Sequence, residues 1–412
     1  MMKTNNPAVV EKTAQPTAAE HAAQPENRSG KKPLGLYIHI PFCLQKCGYC
    51  DFYSEAGLPD DLKKAYVEAL CREIAQYGNR LTAEYMVDTV FLGGGTPSIL
   101  PSHLTKSILS AVSDAFDVSA DAEVSIECNP ATLTEEKLGV YREAGINRLS
   151  LGVQSMDDGL LQVMGRAHSR QDVVETVQLA RQAGFDNLNL DLMFGIPGQN
   201  MQMWKETVRT VFAMKPEHLS FYSLELAEGT PFYRQVARGT LEPTPQEEDR
   251  QMYHFLLREL QERGYDHYEI SNSARPGCRC RHNLKYWNLS DYLGLGASAH
   301  SFLQERRFAS VSDARAYAQA VLRGESPVVW QHENSRWDSI TDYTFTALRR
   351  REGIEKTDFA KRFDEEFWDF FSGREEEFQQ FVLRGEAEED AGGIRITEKG
   401  MDIASRIIEI FL

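Results

Sequence analysis

The architecture that we expect for this chain depends on the stretch 41–52, which reads Pro41-Phe42-Cys43-Leu44-Gln45-Lys46-Cys47-Gly48-Tyr49-Cys50-Asp51-Phe52. Three residues separate its first two cysteines and two separate its last two. The stretch follows the apolar run 34–40, which predicts a strand. A short loop after a strand can therefore gather three thiolates around one side of an inorganic cluster.

Two kinds of metal site compete for cysteines at this spacing. Structural zinc sites need four ligands, usually in two separated pairs, and no close second pair with this spacing follows in the chain. In a cubane [4Fe–4S] cluster, three thiolates would bind three irons and leave the fourth iron open to a substrate or cofactor. The spacing favours this second, chemically active site.

Composition narrows the class of protein. The 412 residues are enough for a large enzyme core and one smaller domain, and no apolar stretch approaches the length of a membrane span. The net charge of -16 disfavours broad binding to nucleic acid or to anionic membranes. Seven cysteines, an odd number with one tight group, are typical of a reducing compartment, so we predict a cytoplasmic protein. Residues 1–32 have the composition of a disordered tail.

Strand and helix patterns alternate after the cysteine loop. Six strands are predicted, at 34–40, 86–92, 123–128, 148–153, 188–194 and 218–224. Helical patterns between them argue for parallel βαβ units with right-handed crossovers. We therefore predict an α/β fold, an incomplete barrel of six β/α units with its extension over 33–310, in which a further strand is predicted at 267–270. Over 311–412 we predict a mostly helical, winged-helix-like domain. Its predicted elements are charged helices at 314–322, 339–350, 356–363 and 375–383, a short strand at 394–397 and a final helix at 401–411.

Small and polar residues fall where the predicted strands end, the edge at which active groups gather in such barrels. These residues are Gly94, Gly95, Thr96, Glu127, Asn129, Gln154 and Asp191. Each also has a structural interpretation, because glycines form turns and Glu or Asn can cap helices. Taken one at a time, the structural interpretation is favoured.

The cysteine motif, with Tyr49 and Asp51-Phe52, resembles the cluster loop of radical S-adenosylmethionine (SAM) enzymes. More narrowly, the chain resembles the family of oxygen-independent coproporphyrinogen III oxidase, and within it a branch of haem chaperones. The resemblance runs from Tyr37 to the C-terminus, and several motifs occur in the family's order. The first thirty-odd residues have no counterpart in it.

The resemblance implies a cofactor site. Cys43, Cys47 and Cys50 would bind a [4Fe–4S] cluster whose open iron takes SAM. An external electron donor would reduce the cluster, and cleavage of SAM would give a 5′-deoxyadenosyl radical. Polar groups of mixed charge suit a zwitterionic sulfonium ligand. The SAM region implied by the family comprises Tyr37, Tyr49, Gly94, Gly95, Thr96, Glu127, Gln154, Arg166 and Asp191.

Two features separate the two branches of this family. The oxidase carries a fourth cysteine two residues after the third, where this chain has Phe52, and it uses an ordered N-terminal segment where this chain has a low-complexity tail. The segment His282-Asn283-Leu284-Lys285-Tyr286-Trp287 matches a His-Asn-X-X-Tyr-Trp motif associated with haem binding in the chaperone branch. The resemblance thus implies haem as cargo, with His282 as its candidate ligand.

The residues alone leave alternatives to a haem site open. Imidazole is a good axial ligand, yet His282 could equally be a hydrogen-bonded structural residue beside core aromatics. Cys278 and Cys280 lack a clear fourth ligand for zinc, so we interpret them as free thiols.

We expect a haem chaperone that delivers haem to a client, for example a respiratory enzyme, with any membrane contact made through that client. The competing expectation is oxidative decarboxylation of coproporphyrinogen III. The net charge argues against a third class, radical SAM enzymes that modify tRNA.

Overall fold

The structure is a computed structural model, and it describes residues 30–412. Its strands are β1 (Lys32–Ile40), β2 (Phe42–Cys43), β3 (Glu55–Ala56), β4 (Tyr85–Gly94), β5 (Val118–Cys128), β6 (Arg148–Gln154), β7 (Leu188–Phe194), β8 (His218–Ser223), β9 (Asp266–Glu269), β10 (Asn272–Ala274), β11 (Tyr292–Leu295), β12 (His300–Leu303), β13 (Arg306–Ser310), β14 (Val328–Glu333), β15 (Ile354–Glu355), β16 (Ala387–Glu389) and β17 (Gly393–Ile396).

The helices are α1 (Asp60–Leu81), α2 (Ser102–Ala115), α3 (Glu135–Glu143), α4 (Asp158–Met164), α5 (Arg170–Gln182), α6 (Met201–Ala213), α7 (Pro231–Ala237), α8 (Gln246–Glu262), α9 (Arg281–Trp287), α10 (Ala314–Leu322), α11 (Arg336–Ala347), α12 (Lys356–Phe363), α13 (Phe367–Phe370), α14 (Glu375–Leu383), α15 (Glu398–Met401) and α16 (Ala404–Ile408). No helix in the described part of the chain combines the length and apolar composition that crossing a bilayer requires.

Six parallel strands form the centre of the fold. They lie in the order β1, β4, β5, β6, β7, β8, and each neighbouring pair is parallel. The six predicted strands and the α/β class are therefore confirmed. Because parallel neighbours need a crossover, a helix returns the chain between successive strands. Local signals set the helix starts, as at α5, where Ser169 and Asp172 form a reciprocal capping box.

The sheet continues beyond these six strands on both sides. Strand β11 pairs parallel to β1, and β12, β13 and β14 follow as antiparallel strands. On the other side, β10 pairs antiparallel to β8 and then to β9. Apart from β9, these additions were not predicted, because strands of three to six residues are too short for a periodic pattern to stand out.

The described residues bury two large hydrophobic cores and one small cluster. The larger packs the parallel strands against α1, α2, α5, α6 and α8, with Trp204 and Tyr66 among its fully buried side chains. The smaller, rich in phenylalanine, joins the C-terminal helices to the sheet β15-β17-β16. Strand β14 still belongs to the large sheet, which thus extends to Glu333. The division into domains at 310 and 311 stays a prediction.

Some local predictions are corrected by the structure. The predicted helix at 401–411 is broken into α15, α16 and a final 3-10 turn at Glu409–Phe411. The predicted helix at 339–350 starts earlier, at Arg336, because Ser335 and Asp338 form a capping box there. The predicted disordered tail falls outside the described residues up to position 29, and β1 already begins at Lys32.

Candidate functional site

The glycine turn after β4 ties the cysteine loop to the sheet. The backbone N–H of Gly95 donates to the carbonyl of Ile40 at 2.9 Å, and that of Thr96 donates to the carbonyl of Phe42 at 2.8 Å. The Thr96 hydroxyl lies 3.7 Å from the Cys43 sulfur. Because the loop starts at a strand end and is held from the neighbouring strand, its first thiol has a defined position.

Only glycine fits at two positions of this turn. Gly94 has φ +115°, and a Cβ there would lie 2.5 Å from the ring of His39. A Cβ on Gly95 would lie 2.7 Å from the backbone oxygen of Phe42. The structural interpretation therefore accounts for these glycines, because the close approach that excludes a side chain lets the backbone N–H groups of the turn bond to β1, β2 and Glu127.

A cavity of about 540 Å³ opens at the carboxyl ends of the parallel strands. Every site residue predicted from the sequence lines it except His282. Alternate residues of single strands contribute to its wall, as Arg148, Ser150 and Gly152 do in β6, because side chains of a strand point to the same face at every second residue. The lining residues that come from the predicted site are Tyr37, Cys43, Cys47, Tyr49, Cys50, Gly94, Gly95, Thr96, Glu127, Gln154, Arg166 and Asp191.

The three loop cysteines are free thiols that share one wall of this cavity. Backbone bonds hold their loop, since Gly48 N–H donates to the Met164 carbonyl at 3.1 Å and Phe232 N–H donates to the Gly48 carbonyl at 2.9 Å. In the described residues, no three His, Cys, Asp or Glu side chains converge on a single ion. A cubane has no need of such convergence, because each thiolate binds a different iron at a separate corner.

Arg166 brings positive charge to this wall. Its Nη1 lies 3.6 Å from the sulfur of Cys47, and its Nη2 donates to the carbonyl of Gly152 at 2.7 Å. Its Nε has no hydrogen-bond partner although it is buried. A guanidinium in this place can stabilise thiolates and still offer an N–H group to a ligand carboxylate.

Two carboxyl groups, those of Glu127 and Asp191, line the cavity. Burial, together with the nearby charge of Asp191, raises the pKa of Glu127 to about 8, although the Gly94 N–H donates to its Oε2 at 2.9 Å. Burial also raises the pKa of Asp191, against the effect of hydrogen bonds such as the one from Asn189 Nδ2 at 2.6 Å. Two carboxyl groups that share a site resist being ionised together. A ligand that donates hydrogen bonds to them would therefore be favoured, because it stabilises their ionised forms.

Gln154 closes β6 in an unusual backbone conformation. Its φ is +62°, in the left-handed region, and the pairing register of β6 with β7 shifts just before it. Such a conformation costs a non-glycine residue about 1–3 kcal/mol and persists only where the surroundings enforce it. The bulge turns the Gln154 side chain to the cavity, as expected for a residue selected for a contact rather than for stability.

Arg148 was not identified from the sequence, yet it lies in this cavity. Its side chain is 1% exposed, and its Nε has no hydrogen-bond partner. Its charge acts to lower the pKa values of both Glu127 and Asp191. The sequence did contain a signal for Arg148, namely a charged residue at the start of an otherwise apolar strand. Such an arginine is expected to be buried beside acidic residues, because a fully buried arginine needs acidic neighbours.

Helix α9 contains the His-Asn-X-X-Tyr-Trp motif and lies against the inner surface of the sheet. Glu123 of β5 accepts the backbone N–H groups of Arg281 at 3.0 Å and His282 at 3.1 Å, and so anchors the helix start. The His282 ring stacks on Phe91 of β4 with its centroid 5.3 Å away. Asn283 and Tyr286 line the cavity, whereas His282 does not.

Both ring nitrogens of His282 are engaged. Nδ1 is 2.8 Å from Thr89 Oγ1, Nε2 is 2.9 Å from Tyr286 Oη, and the residue is 0% exposed. Burial and the nearby charges of Lys285 and Arg148 lower its pKa to about 3, so the ring is neutral. In this structure His282 is therefore a hydrogen-bonded residue, as its structural interpretation expected. Ligation of haem by His282 stays a prediction, and it would require Nε2 to leave Tyr286.

Cys278 and Cys280 lie just before α9. Both are free thiols, and that of Cys280 is buried, 3.5 Å from Glu123 Oε1. Burial raises the pKa of Cys280 to about 12, so this thiol is protonated near neutral pH.

Comparison with known proteins relates this geometry to a family. Residues 37–211 match the model of the radical SAM superfamily. The heme chaperone HemW of Bacillus subtilis is 33% identical over 91% of this chain and 98% of its own length. HemW of a Synechocystis strain is 40% identical over 70% of each chain. The chain belongs to the HemW/HemN family of radical SAM proteins.

A solved structure of that family has the same fold. Coproporphyrinogen III oxidase (HemN) of Escherichia coli superposes with a TM-score of 0.81 over 93% of this chain and 91% of its own, at 24% identity. At that identity the likeness concerns the fold alone. Membership of the HemW/HemN family implies a [4Fe–4S] cluster and SAM, and the donor set of the cavity fits both. Three thiols share one wall, and an arginine with a spare N–H lies beside them.

Proposed function

We propose that this protein is a radical SAM haem chaperone, which holds a [4Fe–4S] cluster and SAM in the cavity, binds haem and passes it to a client protein. One observation carries the proposal: the cluster cysteines, the polar groups suited to SAM and the motif helix α9 all line one cavity in a chain whose relatives are named heme chaperones.

Each group of residues that lines the cavity has a proposed role. Cys43, Cys47 and Cys50 would hold the cluster, and Arg166 would bind the carboxylate of SAM beside it. Glu127 would accept hydrogen bonds from the ribose or the amino group, and Tyr37 would lie at the sulfonium. The remaining proposed SAM contacts are Tyr49, Gly94, Gly95, Thr96, Gln154 and Asp191.

The surroundings determine what these groups can do. When bound, the cluster and SAM supply one-electron chemistry at a carbon–sulfur bond, for which an electron donor is needed. The strand ends and α9 enclose the cavity, which limits access of water to a reactive species. Haem is the proposed cargo, with the helix α9 motif as its candidate site, and a haem-accepting client, for example a respiratory protein, is the proposed partner.

The test uses the full chain with its cluster reconstituted under anaerobic conditions. Stoichiometric binding of haem, and its transfer to an apo haem protein, are expected. The triple variant Cys43→Ala, Cys47→Ala, Cys50→Ala should lose the iron–sulfur absorption, whereas Cys71→Ala, a thiol outside the cavity, should keep it. Failure of the native chain to bind haem contradicts the proposal. Robust conversion of coproporphyrinogen III to protoporphyrinogen would show an oxidase instead.

A further inference from the structure

The haem-binding motif presents different atoms to the cavity than its sequence suggests. His282 is 0% exposed, does not line the cavity and uses both ring nitrogens. Tyr286, one helical turn later, lines the cavity and is partly exposed. Its hydroxyl is the group that His282 Nε2 contacts, at 2.9 Å. Of the two motif residues that line the cavity, Asn283 and Tyr286, the phenol is the one with an atom suited to bind ferric iron.

The phenol is held in place from three directions. Glu123 anchors the start of α9, so the helix cannot turn about its axis without losing two backbone hydrogen bonds. The rings of His282 and Tyr286 meet edge to face with centroids 5.2 Å apart, and Tyr292 packs edge-on against Tyr286 at 4.7 Å. Thr89 fixes the other side of the imidazole. Such support fixes a functional atom to within the tolerance that metal ligation needs.

We propose that the Tyr286 hydroxyl oxygen is the protein ligand to the iron of bound ferric haem, and that His282 is a positioning residue that hydrogen-bonds this oxygen. The inference rests on the proposed function, because it names the residue that contacts the cargo. Tyrosine is an established axial ligand of haem iron, and phenolate oxygen suits the ferric state. A hydrogen bond from a neighbouring side chain to the ligand atom orients that atom and tunes its basicity.

The ligation step balances with water as the leaving group. In the tautomer that the step requires, the Thr89 hydroxyl donates to Nδ1 of His282, and Nε2–H donates to the Tyr286 oxygen. The phenol O–H bond breaks and an oxygen–iron bond forms, while the hydroxide that ferric haem carries in solution takes the proton and leaves as water. The imidazole stays neutral throughout, which agrees with its burial beside Lys285 and Arg148. No oxidant or reductant takes part.

The test is a titration of the full, cluster-loaded chain with ferric haem, followed by absorption and resonance Raman spectroscopy. We expect a phenolate-to-iron charge-transfer band and enhanced phenolate modes in the native protein, a readout that needs no variant. Tyr286→Phe should lose both and weaken haem binding at least tenfold. His282→Ala should keep a phenolate signature at shifted energy, because the oxygen loses its hydrogen-bond partner.

A matched control is Tyr77→Phe, which removes a phenol hydroxyl from α1, outside the cavity, and should leave the haem spectrum unchanged. Iron content and thermal midpoint establish that each variant folds and carries its cluster. Haem binding without phenolate modes overturns the inference. So does a Tyr286→Phe variant that keeps the native haem spectrum while His282→Ala loses it, because His282 would then be the axial ligand. Absence of haem binding by the native chain would remove the proposed function itself.

Discussion

Individual side chains of the cavity wall have separable tasks. Cys47 is in contact with Arg166, whose guanidinium also bonds the Gly152 carbonyl across the cavity. One residue of the cysteine loop is therefore joined to a strand end far away in sequence. Loss of the thiol would affect the cluster first, whereas loss of the guanidinium would affect the SAM that lies beside it.

Removal of a single loop thiol should abolish the cluster. For Cys47→Ala we expect iron content to fall from about four per chain to well below one, because two remaining thiolates cannot hold a cubane. Cys71→Ala is the control, since Cys71 lies in α1 with its sulfur 3.8 Å from the Ser107 carbonyl, outside the cavity. Iron and sulfide analysis after reconstitution measures this. Equal iron in the two variants would contradict the assignment of Cys47.

Glu127 should make SAM binding depend on pH. Burial and the charge of Asp191 raise its pKa to about 8, and the ionised form is the one that accepts hydrogen bonds from SAM. Affinity should therefore increase about tenfold between about pH 7 and about pH 9, as the carboxyl loses its proton before binding. Equilibrium dialysis with labelled SAM measures the change. Glu127→Gln should bind more weakly with a flat profile, and this variant also corrects for titration of SAM itself. A native profile as flat as that of the variant would exclude this role.

Among the elements of the fold, α1 is joined to the rest of the molecule through a buried acid. Glu73, 1% exposed, accepts from the Tyr317 hydroxyl of α10 at 2.5 Å and from the Gly296 N–H after β11 at 2.9 Å. These bonds join α1, α10 and β11. Despite both hydrogen bonds, burial raises the pKa of Glu73 from 4.5 to about 7.

The stabilisation that Glu73 gives to this contact between α1, α10 and β11 should weaken as pH rises. Because the pKa of Glu73 is higher in the folded chain than in the unfolded chain, the folded state holds its proton more tightly. The resulting stabilisation is complete below pH 4.5 and is lost as pH rises through about 7. The loss amounts to about 3 kcal/mol at most.

Urea unfolding at about pH 5 and about pH 8 tests the Glu73 contact. The free energy of unfolding of the native chain should fall from the lower to the higher pH more than that of Glu73→Gln, because glutamine has no proton to lose. Glu68→Gln, an exposed change in the same helix, should show little difference between the two conditions. A parallel response of Glu73→Gln and the native chain would show that this acid does not titrate over that range.

At the scale of the whole molecule, the two proposed ligands, haem and SAM, would share one cavity. The cysteine loop lies at one wall of the cavity and Tyr286 of α9 at another, and both belong to the same volume of about 540 Å³. That volume is within the range typical for one drug-sized ligand. Haem that reaches Tyr286 through the cavity would therefore overlap the space used by SAM.

Haem and SAM should consequently compete. Addition of SAM to the cluster-loaded chain should raise the apparent Kd for haem in proportion to SAM concentration once SAM exceeds its own Kd. Fluorescence or absorption titrations measure this. Arg166→Gln, which we expect to bind SAM at least tenfold more weakly, should need correspondingly more SAM for the same effect. An unchanged haem affinity at saturating SAM would place haem outside the cavity.

Local patterns in the sequence were sufficient for the six parallel strands, the cysteine loop and the glycine turn. Apolar periodicity sets a strand within a few residues, and cysteine spacing sets which atoms one loop can gather. Every predicted site residue but His282 lines the cavity for this reason, since the carboxyl ends of parallel strands share one edge. The identity of the cofactor came from resemblance rather than from periodicity.

Contacts between distant residues were decided only by the tertiary structure. Thr89 and His282 are 193 positions apart, and Glu123 lies 159 positions before His282 in the helix it anchors. No local pattern encodes such pairs, because they form only when α9 packs against β4 and β5. The sequence therefore determined the wall that carries the cysteines and the residue types suited to SAM. The fold decided that Arg148 is buried in that wall, and that Tyr286 rather than His282 faces the cavity.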